Sequence, residues 1–294
     1  MKRTLKKTSR RIITVFTAVL TLTFTAAALA LFSAGAFAQG TAETKLADRG
    51  ICSHRGAQSQ CPENTVPAFA EAVRQGAAMI ELDVDYTRDG KILLLHDPTV
   101  DRTSNGHGSL SDLTFDEARA LDFGAWKGEQ FAGTKIPTLE EALEVIPKTI
   151  WLNIHVKPGG NLGDKISLEV ADIIAKQERM GHAFLACDVR NAEAVHERYP
   201  EFLICNMERQ GGSDAYVDRT IESKAQFIQL AGGHPTPEQI ARLKAAGIRI
   251  NYFGTNDPNE MKALFDLGVD FPLVDNLPVG QEAFKQWSQE HENK

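Results

Sequence analysis

The sequence predicts an α/β protein, a parallel (β/α)8 barrel with an insertion between its third and fourth strands. Short apolar runs alternate with helical segments over about 240 residues, which favours a parallel sheet with crossover helices. The runs are typical of strands that are buried on both faces. In a chain of 294 residues, this alternation fits a single closed barrel.

Nine apolar runs are predicted to be strands, although such a barrel has eight places. One of the nine is therefore expected to be misread or peripheral. The predicted strands are Ile51–His54, Met79–Val84, Lys91–His96, Ile150–Val156, Ala183–Cys187, Phe202–Cys205, Phe227–Leu230, Ile248–Phe253 and Phe271–Val274.

Helices between these strands are predicted from the signals at their ends. A first helix over Thr65–Gln75 stops at Gly76. Two pairs have the spacing of a capping box, in which a threonine and a glutamate satisfy each other's backbone amides: Thr114 with Glu117, and Thr138 with Glu141. Two later helices begin with a capping residue and a proline and end at a glycine: Thr236–Gly247 and Asp257–Gly268.

Two irregularities interrupt the alternation. Arg88-Asp89-Gly90 is typical of a tight turn, so no helix is expected between the second and third strands. Pro98–Pro137 is a long excursion with one short predicted helix, and we expect it to be an insertion over the barrel mouth.

The N-terminal 38 residues resemble a signal peptide. Met1–Arg11 is basic, Ile12–Phe32 is uncharged and largely apolar, and Ala36-Phe37-Ala38 has the small-x-small pattern of a cleavage site. We therefore expect a signal peptide over 1–38, one barrel domain over 39–294, and an exported protein that is periplasmic or secreted. Retention of the segment as a membrane anchor is the alternative, because the apolar stretch is long enough to span a bilayer.

The remaining chain is acidic. It has 26 basic and 39 acidic residues, so its net charge is −13. Such a body lacks the electrostatic footprint of a nucleic-acid-binding protein and is repelled by anionic lipid. We expect a small-molecule partner, no nucleic acid and no stable membrane insertion after cleavage, while the sequence leaves the oligomeric state open.

The four cysteines form no CxxC pair, which argues against a zinc ribbon or a thioredoxin-type site. Cys187 and Cys205 lie in apolar strand-like runs and are expected in the core. For Cys52 and Cys61 two interpretations stay open: a disulfide that closes a short loop in an exported protein, or buried free thiols.

Polar side chains occupy strand positions where a barrel is usually apolar. Strand alternation places Glu81 and Asp83 on one face of the second strand, and Asn153, His155 and Lys157 on one face of the fourth. Because the aliphatic residues between them would pack against helices, these polar residues should face the barrel interior. Unpaired charges are costly there, so they must meet partners or a metal ion.

Two histidines end predicted strands, His54 the first and His96 the third, and Arg55 follows His54. A parallel barrel has its active site at the carboxyl ends of its strands. Each residue taken alone has an ordinary structural interpretation. Together, imidazoles for acid/base work, clustered carboxylates for a cation, and Arg with Lys for a phosphoryl group indicate metal-assisted cleavage of a phosphate ester.

An ordered set of motifs extends this pattern over Gly50–Lys157 and, weakly, at the C-terminus. The set comprises His54-Arg55-Gly56, Glu63-Asn64-Thr65, Ile80-Glu81-Leu82-Asp83-Val84, Asp89-Gly90, His96-Asp97, Arg102-Thr103, Leu121-Asp122-Phe123-Gly124, Pro137-Thr138-Leu139-Glu140-Glu141 and Val274-Asp275. It resembles the glycerophosphodiester phosphodiesterases, a branch of the phospholipase C-like TIM barrels.

The resemblance implies a role for each candidate residue. It makes His54 and His96 the catalytic acid/base pair, assigns the substrate phosphate to Arg55 and Lys157, and gives Glu81 and Asp83 to one divalent metal ion. The implied reaction is hydrolysis of glycerophosphodiesters, the deacylated phospholipid head groups, to an alcohol and glycerol phosphate. For Glu63, capping of the first helix or support of His54 is expected.

One residue departs from the family pattern. The fourth strand of the family usually reads Asn-x-Glu-x-Lys, whereas here His155 stands at the place of the glutamate. We expect His155 to be the third metal ligand; an acid/base role and a weaker site completed by water are the alternatives. The family implies Mg²⁺ or Ca²⁺, whereas an imidazole ligand favours Mn²⁺ or Zn²⁺.

Two other functions fit parts of the sequence. One is a lipid-active relative that resembles the sphingomyelinase D branch, which shares the barrel and the paired histidines. The other is a phosphodiester-binding pseudoenzyme that has lost the metal.

Overall fold

The computed structural model describes residues 45–157, 163–208, 212–233 and 235–292. The expected signal peptide, residues 1–38, lies outside these ranges, as does the start of the expected barrel domain up to residue 44. Among the described residues, no helix combines the length and the apolar character needed to cross a bilayer.

Eight parallel strands close into a barrel. Along the ring they follow the order β1-β2-β4-β5-β6-β7-β8-β9, and β1 closes it by pairing with both β2 and β9. The predicted (β/α)8 architecture is therefore confirmed. The strands of the ring are β1 (Cys52–Ser53), β2 (Met79–Tyr86), β4 (Trp151–Val156), β5 (Ala183–Cys187), β6 (Leu203–Asn206), β7 (Phe227–Ala231), β8 (Arg249–Phe253) and β9 (Phe271–Val274).

The third predicted strand is the peripheral one. The third apolar run forms β3 (Ile92–Leu94), which is antiparallel to β2 through the pairs Val84 with Leu94 and Tyr86 with Ile92. The expectation that one of the nine runs is peripheral is therefore confirmed, and His96 follows an antiparallel strand outside the ring. A turn at 88–90 is too short for the crossover that a parallel neighbour needs, so β3 folds back as a hairpin.

Helices cover the outside of the ring, and two of the short ones belong to the long segment between β3 and β4. The helices are α1 (Val66–Arg74), α2 (Phe115–Ala120), α3 (Leu139–Val145), α4 (Gly163–Lys176), α5 (Val189–Arg198), α6 (Asp214–Glu222), α7 (Pro237–Ala245), α8 (Pro258–Leu267) and α9 (Leu277–Glu292).

The predicted helix starts are confirmed by hydrogen bonds. Reciprocal capping boxes join Thr114 with Glu117, Thr138 with Glu141, and Thr236 with Gln239. Each box satisfies two backbone amides that a helix start would otherwise leave unpaired.

Alternation along the strands divides the apolar residues into outer and inner sets. Ile80, Leu82 and Val84 of β2 share a cluster with the helical residues Phe69 and Leu143. A second cluster consists largely of residues on the opposite strand face and fills the barrel interior: Cys52, Met79, Trp151, Phe184, Ala186, Cys205, Phe227, Phe271 and Leu273. The polar residues that alternate with the outer set therefore project inward.

β3 and the segment that follows it share a small core of their own. Its buried members are Leu93, Leu95, Val100, Leu110, Ala118, Phe123 and Ile136. Because β3 lies outside the ring, the unit that interrupts the barrel begins at β3 and is longer than the predicted Pro98–Pro137; we refer to residues 92–137 as the insertion. Its cluster is separate from the clusters of the barrel wall and interior.

All four cysteines are buried free thiols. The structure therefore agrees with the second interpretation of Cys52 and Cys61 and contains no bridge between them. Burial raises the pKa of both side chains, as expected for thiols that pack as small apolar groups.

Candidate active site

Two buried carboxylates form the centre of the site. Glu81 and Asp83 lie on the inward face of β2 and are 3% and 0% exposed. Their inward direction follows from the outward packing of Ile80, Leu82 and Val84 in the barrel wall. The predicted placement of both residues is therefore found in the structure.

The neighbouring strand β4 brings an imidazole and an ammonium group to the same place. Asp83 is the register partner of His155. His155 Nδ1 lies 3.1 Å from Asp83 Oδ1, and Lys157 Nζ also lies 3.1 Å from that oxygen. The structure thus unites all three of the expected metal ligands, because ligand atoms of Glu81, Asp83 and His155 lie within 4.8 Å of one another.

The loop after β1 adopts an uncommon backbone to approach these carboxylates. Arg55 and Asn64 have φ angles of 52° and 54°, in the left-handed region that side chains other than glycine seldom enter. The Arg55 amide donates to Glu81 Oε2 at 2.9 Å, and Asn64 Nδ2 donates to Asp83 Oδ2 at 2.8 Å. A Cβ at Gly56 would lie 2.8 Å from the backbone of Ala68, so this close approach requires a glycine.

His54 is held at the closure of the barrel. Its Nδ1 lies 2.6 Å from Asp275 Oδ1, just after β9, and its Nε2 lies 3.9 Å from Glu81 Oε2. Gln58 Nε2 donates to the same Asp275 oxygen, while the Phe253 ring packs edge-on at 5.0 Å. An imidazole whose Nδ1 is held by a carboxylate has a fixed orientation and leaves Nε2 for chemistry.

His96 has a partner of the same kind in the insertion. Its Nδ1 lies 2.6 Å from Oδ1 of Asp97, and the other oxygen of Asp97 accepts from Arg102 Nε at 2.6 Å. Arg102 and the His96 imidazole hold the pKa of Asp97 at about 2, although partial burial opposes this. Burial lowers the pKa of His96 itself; the Asp83 and Asp97 carboxylates oppose this change, while the Lys157 and Arg55 charges add to it.

Glu63 joins two arginines across the mouth. It accepts from Arg55 Nη1 at 2.7 Å and from Arg102 Nη1 and Nη2 at 2.7 and 2.8 Å. The expectation that Glu63 caps the first helix or supports His54 was therefore wrong. Thr65 is the N-cap of α1, and a buried glutamate between two guanidinium groups is fully paired without reaching His54.

The two central carboxylates have opposite electrostatic settings. Burial, together with repulsion from Asp83, raises the pKa of Glu81. Burial acts in the same direction on Asp83, but the hydrogen bond from His155 and the charges of Lys157 and Arg55 outweigh it and lower the pKa well below its usual range. A cation at this place would relieve the repulsion that Glu81 experiences.

This donor set fits a divalent metal ion. Two carboxylates and one imidazole converge from adjacent strands, and metal ions in proteins are bound by groups of these types. An imidazole is a poor ligand for Ca²⁺ or Mg²⁺, so the set as a whole suits a transition metal.

The contacts of several residues of the site could not be predicted from local sequence. Asp275 belongs to a matched motif, but its contact with His54 joins positions 221 residues apart in the chain. Gln58 stands in no recognised motif. Asp97 is adjacent to His96 and close in sequence to Arg102, but spacing alone does not show that it pairs with both.

Known proteins share both the sequence and the fold. Residues 54–278 match the model of the glycerophosphoryl diester phosphodiesterase family. The chain is 48% identical over 231 residues to a glycerophosphodiester phosphodiesterase of Caldanaerobacter subterraneus subsp. tengcongensis, covering 77% of this chain and 93% of that protein. It is 30% identical over 230 residues to the corresponding protein of Bacillus altitudinis, covering 76% and 94%.

Solved structures show the same architecture. An Oleispira antarctica phosphodiesterase in complex with the product sn-glycerol-3-phosphate superposes with a TM-score of 0.73 at 25% identity, covering 80% of this chain and 96% of that one. A glycerophosphodiester phosphodiesterase from Agrobacterium tumefaciens gives a TM-score of 0.67 at 27% identity, with coverages of 80% and 99%. The chain therefore belongs to the glycerophosphoryl diester phosphodiesterase family and is a phosphoric diester hydrolase with a TIM-barrel fold.

Proposed function

We propose that the protein is an exported, metal-dependent enzyme that hydrolyses glycerophosphodiesters to an alcohol and glycerol phosphate. The observation that carries this proposal is the meeting of Glu81, Asp83 and His155 beside His54, whose Nε2 lies 3.9 Å from Glu81. The product bound by the Oleispira antarctica phosphodiesterase, sn-glycerol-3-phosphate, supports the substrate class.

In this proposal Glu81, Asp83 and His155 hold one divalent metal ion. The contact between His155 Nδ1 and Asp83 is consistent with a tautomer in which Nε2 keeps its lone pair. A bound divalent ion would supply Lewis-acid stabilisation of negative charge on the phosphoryl oxygens. The mixed donor set favours Mn²⁺ or Zn²⁺ over the Mg²⁺ or Ca²⁺ that the family resemblance implies.

Arg55 and Lys157 bind the phosphate in this proposal. Both cations contact Asp83, Lys157 Nζ at 3.1 Å and Arg55 Nε at 3.5 Å, and both side chains are largely buried. The Nε of Arg55 has no hydrogen-bond acceptor among the described residues. A phosphodiester anion at this place would supply one, and charge-assisted hydrogen bonds of this kind are strong.

The two histidines exchange protons with the substrate. The lowered pKa of His96 favours its neutral form, which a general base needs, so in this proposal His96 takes the proton of the hydroxyl next to the phosphodiester. The freed oxygen attacks phosphorus, the bond to the alcohol breaks, and His54 protonates the departing oxygen. Water then opens the cyclic phosphate with the roles reversed, which yields glycerol phosphate and returns both histidines to their starting states.

The test is turnover of glycerophosphocholine by chelated enzyme to which Mg²⁺, Ca²⁺, Mn²⁺ or Zn²⁺ is returned singly. We expect activity to disappear on chelation and to return best with a transition metal. The variant Glu169→Gln serves as a control and should lose and regain activity as the unmodified enzyme does. Its carboxylate accepts from the Tyr86 hydroxyl and is not one of the proposed metal ligands. Full activity in metal-free enzyme would contradict metal dependence.

No observation favours the sphingomyelinase D-like alternative. An enzyme that draws lipid from a membrane needs an apolar surface at its mouth. In the part of the chain that the structure describes, Trp126 is the one large hydrophobic side chain that is exposed. The pseudoenzyme alternative is not favoured, because the chain belongs to a hydrolase family and has both histidines and the carboxylate pair.

Export forms the remaining part of the proposal and rests on the sequence of residues 1–38. Expression in a bacterial host, followed by fractionation and N-terminal sequencing, tests it. We expect a mature protein outside the cytoplasm that begins at Gln39. Cytoplasmic protein that retains Met1 would contradict export.

A further inference from the structure

A chain of ion pairs crosses the barrel mouth beside the proposed metal ligands Glu81, Asp83 and His155, which we call the metal-ligand group. We call Glu63, Arg102 and Asp97 the carboxylate–arginine bridge. At one end, Glu63 accepts from Arg55 Nη1 at 2.7 Å. At the other end, Asp97 Oδ1 lies 2.6 Å from His96 Nδ1. The bridge therefore joins a residue that follows β1 to a residue that follows β3.

Arg102 is suited to joining Glu63 to Asp97. Its Nε donates to Asp97 Oδ2 at 2.6 Å, and its Nη1 and Nη2 donate to the two oxygens of Glu63 at 2.7 and 2.8 Å. All three nitrogens thus face carboxylates, in the planar fork geometry that distinguishes arginine from lysine. Because all three nitrogens are already paired, we expect Arg102 to act on neighbouring side chains and not on a substrate phosphate.

The pairing fixes both oxygens of Asp97. One oxygen meets Arg102 and the other meets His96, so rotation of the carboxylate would break a charge-assisted hydrogen bond. Glu63 is only 8% exposed, and its pKa is lowered by the two arginines against the effect of burial. A buried, fully paired carboxylate holds its partners more firmly than an exposed ion pair does.

We propose that Glu63 and Arg102 are positioning residues that couple the proton-transferring His96 to the phosphate-holding Arg55. The inference rests on the function proposed above, which gives His96 and Arg55 those roles. Its physical basis is that displacement of a catalytic group by about 1 Å can lower turnover about 100-fold. The bridge keeps His96, the proposed general base in the insertion, aligned with the phosphate site on the barrel.

The two members of the bridge should fail differently. Arg102 reaches Arg55 only through Glu63, so Arg102→Met releases Asp97 and His96 while Arg55 keeps its contacts with Glu63 and Asp83. We expect kcat for glycerophosphocholine to fall about 10-fold with KM nearly unchanged. Glu63→Gln weakens both ends, so we expect kcat to fall and KM to rise together.

Two further variants separate position from charge. Asp97→Asn combined with Arg102→Met should lower kcat little more than the more severe single variant, because both act through one contact. Arg102→Lys keeps the charge but cannot fill three positions, so it should recover only part of kcat. Additive effects in the double variant, or complete recovery with lysine, would overturn the proposal.

Arg88→Met is the matched control, since Arg88 pairs with Glu117 and the Asp112 carbonyl on the exposed side of the same region. It should keep normal kcat and KM. Thermal unfolding checks each fold, and if Arg102→Met is unstable, Arg102→Lys and Glu63→Gln carry the test. Equal losses in kcat and 1/KM for Arg102→Met would also overturn the inference.

The closing comparison is with His96→Ala. Normal turnover of His96→Ala would mean that the proposed function fails. A large loss of turnover in His96→Ala, together with normal kinetics in Arg102→Met and Glu63→Gln, would contradict the positioning role of the bridge and leave the proposed function intact.

Discussion

His54 and His96 have the same kind of partner in very different surroundings. His54 binds Asp275, which is 221 residues away, and its side chain is 10% exposed between an uncharged glutamine and an aromatic ring. His96 binds the adjacent Asp97 in an insertion with a separate core, and its side chain is 32% exposed. One half of the proposed acid/base pair thus depends on closure of the barrel, while the other half depends on local structure.

In the proposed mechanism, a rigid barrel and a segment inserted into it would share one reaction. Loops on a barrel tolerate change more readily than its strands do. Here the metal-ligand group and His54 belong to the barrel, whereas His96 belongs to the insertion. We expect perturbations of the two regions to separate metal binding and folding from proton transfer.

The largest effect is expected from removing either imidazole. His54→Ala and His96→Ala should each lower kcat by at least ~10², the usual contribution of a general acid or base. Both variants should bind metal, since neither histidine belongs to the ligand group. Steady-state kinetics and thermal unfolding of the two proteins check this, and near-normal turnover in one of them would remove it from the mechanism.

Core truncations test whether the two regions are energetically separate. Leu110 and Leu243 are both fully buried, the first in the insertion and the second in the barrel wall. Leu243→Ala should lower the free energy of global unfolding by about 2–5 kcal/mol, the usual range for a buried leucine. Leu110→Ala should instead raise amide exchange within 92–137 and slow turnover, while metal affinity stays normal. Hydrogen exchange with mass spectrometry distinguishes local opening of residues 92–137 from unfolding of the whole domain in one transition.

Replacing the unusual ligand tests the barrel half alone. His155→Glu should shift metal preference towards Mg²⁺ or Ca²⁺, because hard cations favour oxygen donors. His155→Ala should weaken metal affinity by about 10-fold, since Glu81 and Asp83 remain. Calorimetric metal titration measures both changes. Unchanged affinity and preference in both variants, with an altered pH profile, would make His155 an acid/base group instead.

The smallest expected effect is a shift in pH dependence from the insertion half. Burial lowers the pKa of His96, so its neutral form persists below the usual value of about 6.5. The acidic limb of kcat/KM should therefore lie below that pH. Asp97→Asn removes a group that raises the pKa of His96, so the limb should move to still lower pH. Movement to higher pH would contradict the assignment of His96 as the base.

Sequence periodicity predicted the parts of the site that depend on one strand. The inward directions of Glu81, Asp83 and His155 follow from a two-residue repeat against aliphatic neighbours, and the structure has them so. The same reasoning predicted β3 as a strand but did not identify it as the peripheral one, because an apolar run does not reveal whether its neighbour runs parallel or antiparallel. The short turn before β3 contained that information.

Contacts between distant segments could not be predicted in the same way. The pairing of Asp275 with His54 depends on the closure of β9 against β1, and no local pattern encodes it. The role of Glu63 was mistaken because its partner Arg102 lies 39 residues further along the chain. Charged residues at a barrel mouth have many nearby partners, and only the tertiary structure selects among them.

The antiparallel attachment of β3 has a consequence for engineering. The insertion leaves and rejoins the barrel at two neighbouring places, β2 with β3 and the start of α3, and it carries His96 together with Asp97. It is therefore a natural unit for grafting: a related barrel that received these residues would also receive His96 already paired with Asp97, the pair to which we assign proton transfer. We expect the graft to require a glutamate at the position of Glu63 in the recipient, because both oxygens of that carboxylate accept hydrogen bonds from Arg102.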